Sequence, residues 1–137
     1  MIETVQQSSK QTFYEMLGGE QVVYELVEHF YDIVETDLIG EPVHVLHQQG
    51  MGINHLRQAQ FEYLSGFLGG PQLYIERYGH SINRKIHEHL EIGTPEIEAW
   101  LKCMAKAIDK TGVSAGAQQQ LMTVFKHAAK KLNTAKD

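Results

Sequence analysis

The stretch from Glu20 to Thr36 constrains the fold most. Val22, Val23, Leu26, Val27, Phe30, Tyr31 and Val34 recur at three- and four-residue steps, the period of an α-helix with one buried stripe. The same period returns three times. Leu56, Ala59, Tyr63, Leu64 and Phe67 mark a helix over 54–67, with Asn54 as its N-cap. Ile97, Trp100, Leu101, Met104 and Ile108 mark one over 95–110, opened by Thr94 as N-cap and Pro95 in the first turn. Leu121, Val124, Phe125, Ala128 and Leu132 mark a last helix over 114–133. Gly18-Gly19, Gly69-Gly70-Pro71 and Thr111-Gly112 punctuate the series. Shorter helices are expected at 12–17, around Leu73-Tyr74-Ile75 with Gly79 closing it, and at 83–88. No run alternates with the period of a strand. Residues 38–52, with Gly40, Pro42, Gly50 and Gly52, read as an irregular connection long enough to shape a pocket. The expectation is one all-α domain over 1–137, with residues 1–11 a loose N-terminal tail.

Charge removes several functions. Seventeen acidic residues against twelve basic ones give a formal net charge of -5, which argues against a partner read through its phosphates. Lys126, Lys130, Lys131 and Lys136 gather near the C-terminus, where cations suit a helix end. No window reaches the ~18 apolar residues of a membrane span, and residues 1–10 lack the apolar stretch of a signal peptide. Cys103 is the only cysteine, which excludes an internal disulfide and zinc-finger spacing. Placed mid-helix on an apolar side, it reads as a buried, inert thiol. A cytoplasmic protein is expected, with no nucleic-acid or membrane partner.

Eight histidines in 137 residues are the unusual entry, and metal or cofactor ligation is one cause of such abundance. Phosphate-binding and dinucleotide glycine motifs and an HExxH helix are absent. Gly112-Val113-Ser114-Ala115-Gly116 matches GxSxG in letters, yet it joins two helices rather than a strand to a helix, so it carries no nucleophile. His87 and His89 stand two apart, and positions i and i+2 do not share a helix face. One of them turned inward alone is either a satisfied core residue or an axial ligand to a haem.

Five segments occur in a telling order: Phe30-Tyr31-Asp32; Leu64-Ser65-Gly66-Phe67-Leu68-Gly69-Gly70-Pro71; Tyr78-Gly79-His80; Arg84-Lys85-Ile86-His87; and Trp100-Leu101-Lys102-Cys103-Met104. Together, over residues 12 to 110, the chain resembles the group II truncated haemoglobins. The resemblance implies a two-on-two helical sandwich enclosing haem b (iron protoporphyrin IX). It implies His87 as proximal ligand and Tyr31, Trp100 and His47 on the distal side, with His44 as a rival to His47. Gln60 stands where the group usually has leucine, and reads as a third distal donor or an acceptor for Tyr31. Phe30, Leu56, Leu64, Phe67, Ile86, Leu90 and Met104 are implied as apolar haem contacts. Arg84 is implied as a propionate partner by charge, with Tyr74 a second candidate at that end.

The function so implied is binding of O2, CO and NO at ferrous iron, helped by hydrogen-bond donors on the distal side. The same site supports a second reading, NO dioxygenation or peroxidase-like turnover with an unidentified reductase. A third is a haem-free helical interaction module whose histidines are incidental. Tyr31 or His47 is expected to approach the iron in a ligand-free state. A monomer or weak homodimer is expected.

Overall fold

The computed structural model describes residues 11–48, 53–80 and 92–132, with backbone alone at 53–55. The elements are α1 (Phe13–Leu17), α2 (Glu20–Thr36), a 3-10 turn (Leu38–Gly40), α3 (Glu41–Gln48), α4 (Ile53–Phe67), α5 (Leu73–Tyr78), α6 (Thr94–Lys110) and α7 (Ala115–Lys130). No strand element occurs among the described residues. None of the described helices is long and apolar enough to cross a membrane. The expected helix at 83–88 and the N-terminal tail over 1–10 lie outside the described residues.

Local chemistry sets the boundaries. Thr12 caps α1 by accepting from the Glu15 amide at 3.1 Å, and Glu15 Oε1 accepts from the Thr12 amide at 3.3 Å. Gly18, at φ 119°, ends that helix in a left-handed turn. Gly79 closes α5 in the same way at φ 85°. Ser114, the serine of the GxSxG lettering, is the N-cap of α7 and accepts from the Ala117 amide at 3.2 Å. The expected cap of α6 is displaced by one residue. Gly93 rather than Thr94 is the N-cap, and its amide donates to Glu96 Oε1 at 2.8 Å. Asn54 likewise lies inside α4, which begins at Ile53, and α7 is shorter at both ends than the expected 114–133.

The larger correction concerns 38–52. Residues 38–48 are helical, first as a 3-10 turn and then as α3. Gly40 and Pro42 read as breakers, but here they mark a helix start. Proline costs nothing in a first turn whose amides have no helical partner, and Glu41 beside it suits the positive helix end. His47 therefore stands on a helix, not on a loop.

α2 is the central element. It packs most extensively on α6, then on α4, while α6 packs on α7 and α4 on α5. These form the two helix pairs, α2 with α4 and α6 with α7, of a two-on-two sandwich. Val23, Leu26, Val27, Phe30 and Val34 from α2 meet Cys103, Met104, Ala107 and Ile108 from α6 and Leu121 and Phe125 from α7 in one core. Burying a large apolar side chain of this kind contributes about 1.5–3 kcal/mol. Phe67 of α4 stacks on Phe125 of α7 with ring centroids 5.6 Å apart, which joins the two pairs. Leu68 closes that end: its carbonyl accepts from the Tyr14 amide at 2.9 Å, tying α1 to the end of α4.

Candidate functional site

Tyr31 enters the interior because its helix phase demands it: it shares the buried stripe of α2 with Val27 and Val34. The side chain is 3 % exposed. Its hydroxyl donates to the Leu56 carbonyl of α4 at 3.4 Å. That bond is long, and the carbonyl belongs to a helix ladder, so the O–H is held weakly. Burial pushes the phenol well above its ordinary ionisation range; Arg57 opposes this and Glu35 adds to it. Tyr31 is thus a protonated donor at any physiological pH.

His47 of α3 lies against it, ring centroids 5.1 Å apart. Phe30 packs edge-on to Tyr31 at 5.2 Å and tilts against Trp100 of α6 at 5.4 Å. Trp100 in turn meets Phe125 edge-on at 5.5 Å. Phe30, with no exposed surface, thereby supports both donor-bearing rings from one position. The structure brings Tyr31, His47 and Trp100 into a continuous set of ring contacts. Gln60 is half-buried on α4, and the Tyr31 hydroxyl bonds to Leu56 rather than to it. His44 has Nδ1 buried without a hydrogen-bond partner, and its Nε2 lies 3.4 Å from Gln48 Nε2.

Among the expected apolar contacts, Leu64 and Met104 are buried, while Leu56 and Phe67 are half-buried and pack on the core. Tyr74 makes no direct ring contact with Tyr31, His47 or Trp100; it lies edge-on to Tyr63 at 5.8 Å and against Tyr78 at 4.4 Å, and reaches Trp100 only through Tyr63, Phe67 and Phe125. His87, Arg84, Ile86 and Leu90, with His89, lie outside the described residues. Among the described residues no three His, Cys, Asp or Glu side chains converge to hold a bare metal ion. The chemistry of the donor set is instead compatible with a haem-bound ligand. A weakly bonded phenol, an indole and an imidazole among apolar and aromatic walls suit a ligand that takes on negative charge.

Two features escaped the reading of the sequence. Arg57 of α4 pairs with Glu28, Asp32 and Glu35 of α2 and lies over the Tyr31 ring, 5.5 Å from its centroid. The signal was present. Positions 28, 32 and 35 are spaced by four and three, so three acids share one helix face and call for a cation from elsewhere. The second is Glu62, buried on α4 and gripped by Arg77 of α5 through two bonds of 2.8 Å, with Gln58 donating at 2.7 Å. This fork fixes α5, from which the chain continues toward 81–91.

Burial pushes the Cys103 thiol up to about 11, with Asp37 adding to the shift and Lys106 opposing it. Burial, then Tyr74, pushes Tyr63 up to about 12. Each group keeps its proton in the folded chain after the unfolded chain has lost it. The stability they lend is full below about pH 9 and is lost as pH rises toward 12. A melting temperature flat from pH 7 to 8.5 and falling beyond about pH 9 is expected. A curve still flat at pH 11 would contradict the burial of these groups. Iodoacetamide at pH 8 should leave Cys103 untouched, because the thiol has no exposed surface and burial holds it protonated.

The comparisons agree with this architecture. The family model for the bacterial-like globins matches residues 12–134. The group 2 truncated hemoglobin YjbI of Bacillus subtilis is 31% identical over 103 residues, covering 75% of this chain and 74% of that protein. A cold-adapted truncated hemoglobin from the Antarctic marine bacterium Pseudoalteromonas haloplanktis superposes with a TM-score of 0.84 at 33% identity, over 90% of this chain and 98% of the other. The group II 2-on-2 hemoglobin of Agrobacterium tumefaciens gives a TM-score of 0.84 at 28% identity, over 93% and 98%. The chain belongs to the bacterial-like globins, as a group 2 truncated haemoglobin of the haem-binding two-on-two fold.

Proposed function

We propose that this globin binds haem b through His87 and presents Tyr31, Trp100 and His47 to O2, CO or NO on the opposite side. The observation that carries the distal part is the Tyr31 hydroxyl, buried and protonated yet bonded only at 3.4 Å to the Leu56 carbonyl. When bound, haem supplies an iron that takes a diatomic gas and shifts electron density onto it. The residues of the chain do the rest. Tyr31 has one proton to give, and its present acceptor loses little when the hydroxyl turns, because the carbonyl stays within a helix ladder. Phe30 holds the Tyr31 and Trp100 rings in place. Leu56, Leu64, Phe67 and Met104 keep water from competing for the donors. In this reading Gln60, half-buried on α4, is a further donor at the same pocket, and Arg84 and Tyr74 serve the propionate end.

The test is an absorption spectrum of the reduced, haem-b-loaded protein with and without CO. A strong Soret band that sharpens and shifts with CO is expected. A chain that takes up no pigment would instead favour a haem-free interaction module.

The second reading, turnover of NO or peroxide, draws on the imidazole of His47 beside the Tyr31 ring. Slow O2 release combined with rapid NO consumption would favour it. Ready O2 release would favour reversible binding.

A further inference from the structure

We propose that Arg57 is the positioning residue for the Tyr31 hydroxyl, clamping the start of α4 onto α2 so that the phenol is aimed at the ligand. The proposal rests on reading Tyr31 as the distal donor.

Two consecutive residues of α4 hold Tyr31 in different ways. The Leu56 carbonyl accepts a hydrogen bond from the hydroxyl at 3.4 Å, and the Arg57 guanidinium lies over the ring with its central carbon 5.5 Å from the centroid. Arg57 is itself fixed from α2. Nη1 pairs with Glu28, and Nη2 lies 3.1 Å from both Asp32 Oδ1 and Glu35 Oε1. Only 24 % of its side chain is exposed, and Glu28 and Glu35 are themselves about one-third exposed or less, so those two pairs are partly shielded from water and salt, whereas the Asp32 pair faces solvent.

The planar fork matters here. One guanidinium serves three carboxylates from two nitrogens while its central carbon still lies over an aromatic ring, 5.5 Å from the centroid. An ammonium group is a point charge and does not match that geometry. The arrangement also explains the acidic stripe. Glu28, Asp32 and Glu35 would repel one another along α2 without a cation between them. Arg57 turns that repulsion into a grip on α4, one residue beyond the carbonyl that holds the hydroxyl. A cation on the ring face also draws electron density from the phenol, which makes its O–H a stronger donor.

The C–O stretching band of the CO-bound protein reads the polarity that the distal donor imposes. Tyr31→Phe sets the position of the band without that donor. Arg57→Met is expected to move the band toward that position and to speed O2 release about three- to tenfold. In the Tyr31→Phe background, Arg57→Met is expected to move it no further.

A wild-type band and rate in folded Arg57→Met would overturn the proposal while leaving Tyr31 as donor. An equal shift in both backgrounds would overturn it too, because Arg57 would then act on the ligand directly. A Tyr31→Phe band at the wild-type position would remove the distal reading and the proposal together. Should Arg57→Met fail to fold, Arg57→Lys keeps the charge without the fork. A partial shift is expected there, and none would overturn the proposal.

Discussion

Replacing Tyr31 with phenylalanine should speed O2 release by about tenfold to a hundredfold. A hydrogen bond to a charged acceptor contributes about 1.5–3 kcal/mol, and about 1.4 kcal/mol corresponds to a factor of ten. Tyr31 is 3 % exposed, so water does not readily replace the lost donor. Stability should change little, since the hydroxyl makes one long bond and Leu56 keeps its place in the helix. The ring contacts with Phe30 and His47 survive the change. Stopped-flow displacement of O2 by CO gives the rate. A value within twofold of wild type would mean that the ligand is held by other groups.

The second large effect is expected at Gly40, which lies between α2 and α3. A Cβ there would sit 2.6 Å from Val34 Cα and 2.8 Å from its carbonyl oxygen. Both obstacles are helix backbone, so no side chain can rotate away. Gly40→Ala must push α3 off α2, and α3 carries His47. Overpacking of this kind costs about 1–3 kcal/mol. For a chain this size that lowers the melting temperature by about 3–10 °C. The Tyr31–His47 contact should open with it. Gly116 is the matched control, since a Cβ there meets nothing within 4 Å. Gly116→Ala should leave stability unchanged or raise it by up to about 1 kcal/mol, as alanine suits a helix better. Equal melting temperatures for the two variants would mean that α3 does not pack as described.

The contrast between α2 and α3 shows what the sequence made legible. α2 runs over 20–36 as its apolar period indicated, because seven buried side chains from Val23 to Val34 repeat over about three turns. α3 has eight residues and buries only Val43, so no period accumulates. Its glycine and proline then outweighed everything else. The caps moved by one residue at α6 because Glu96 reaches the Gly93 amide, and Thr94 was the stronger letter. The placement of Tyr31 and Trp100 followed from helix phase and from resemblance. Arg57 did not, because its partners lie 22 to 29 positions away and only the folded chain brings them together. Glu62 escaped for the same reason: a carboxylate beside the apolar stripe reads as exposed until Arg77 is seen to cover it.

The most direct test of the account is the visible spectrum of His87→Gly, reconstituted with haem b in the presence and absence of imidazole. Without imidazole the Soret band should weaken, with CO binding altered. Added imidazole should restore the wild-type spectrum, because it supplies the missing nitrogen. A variant whose pigment content and spectrum match wild type without imidazole would contradict the account, and with it the assignment of Tyr31 to the ligand side.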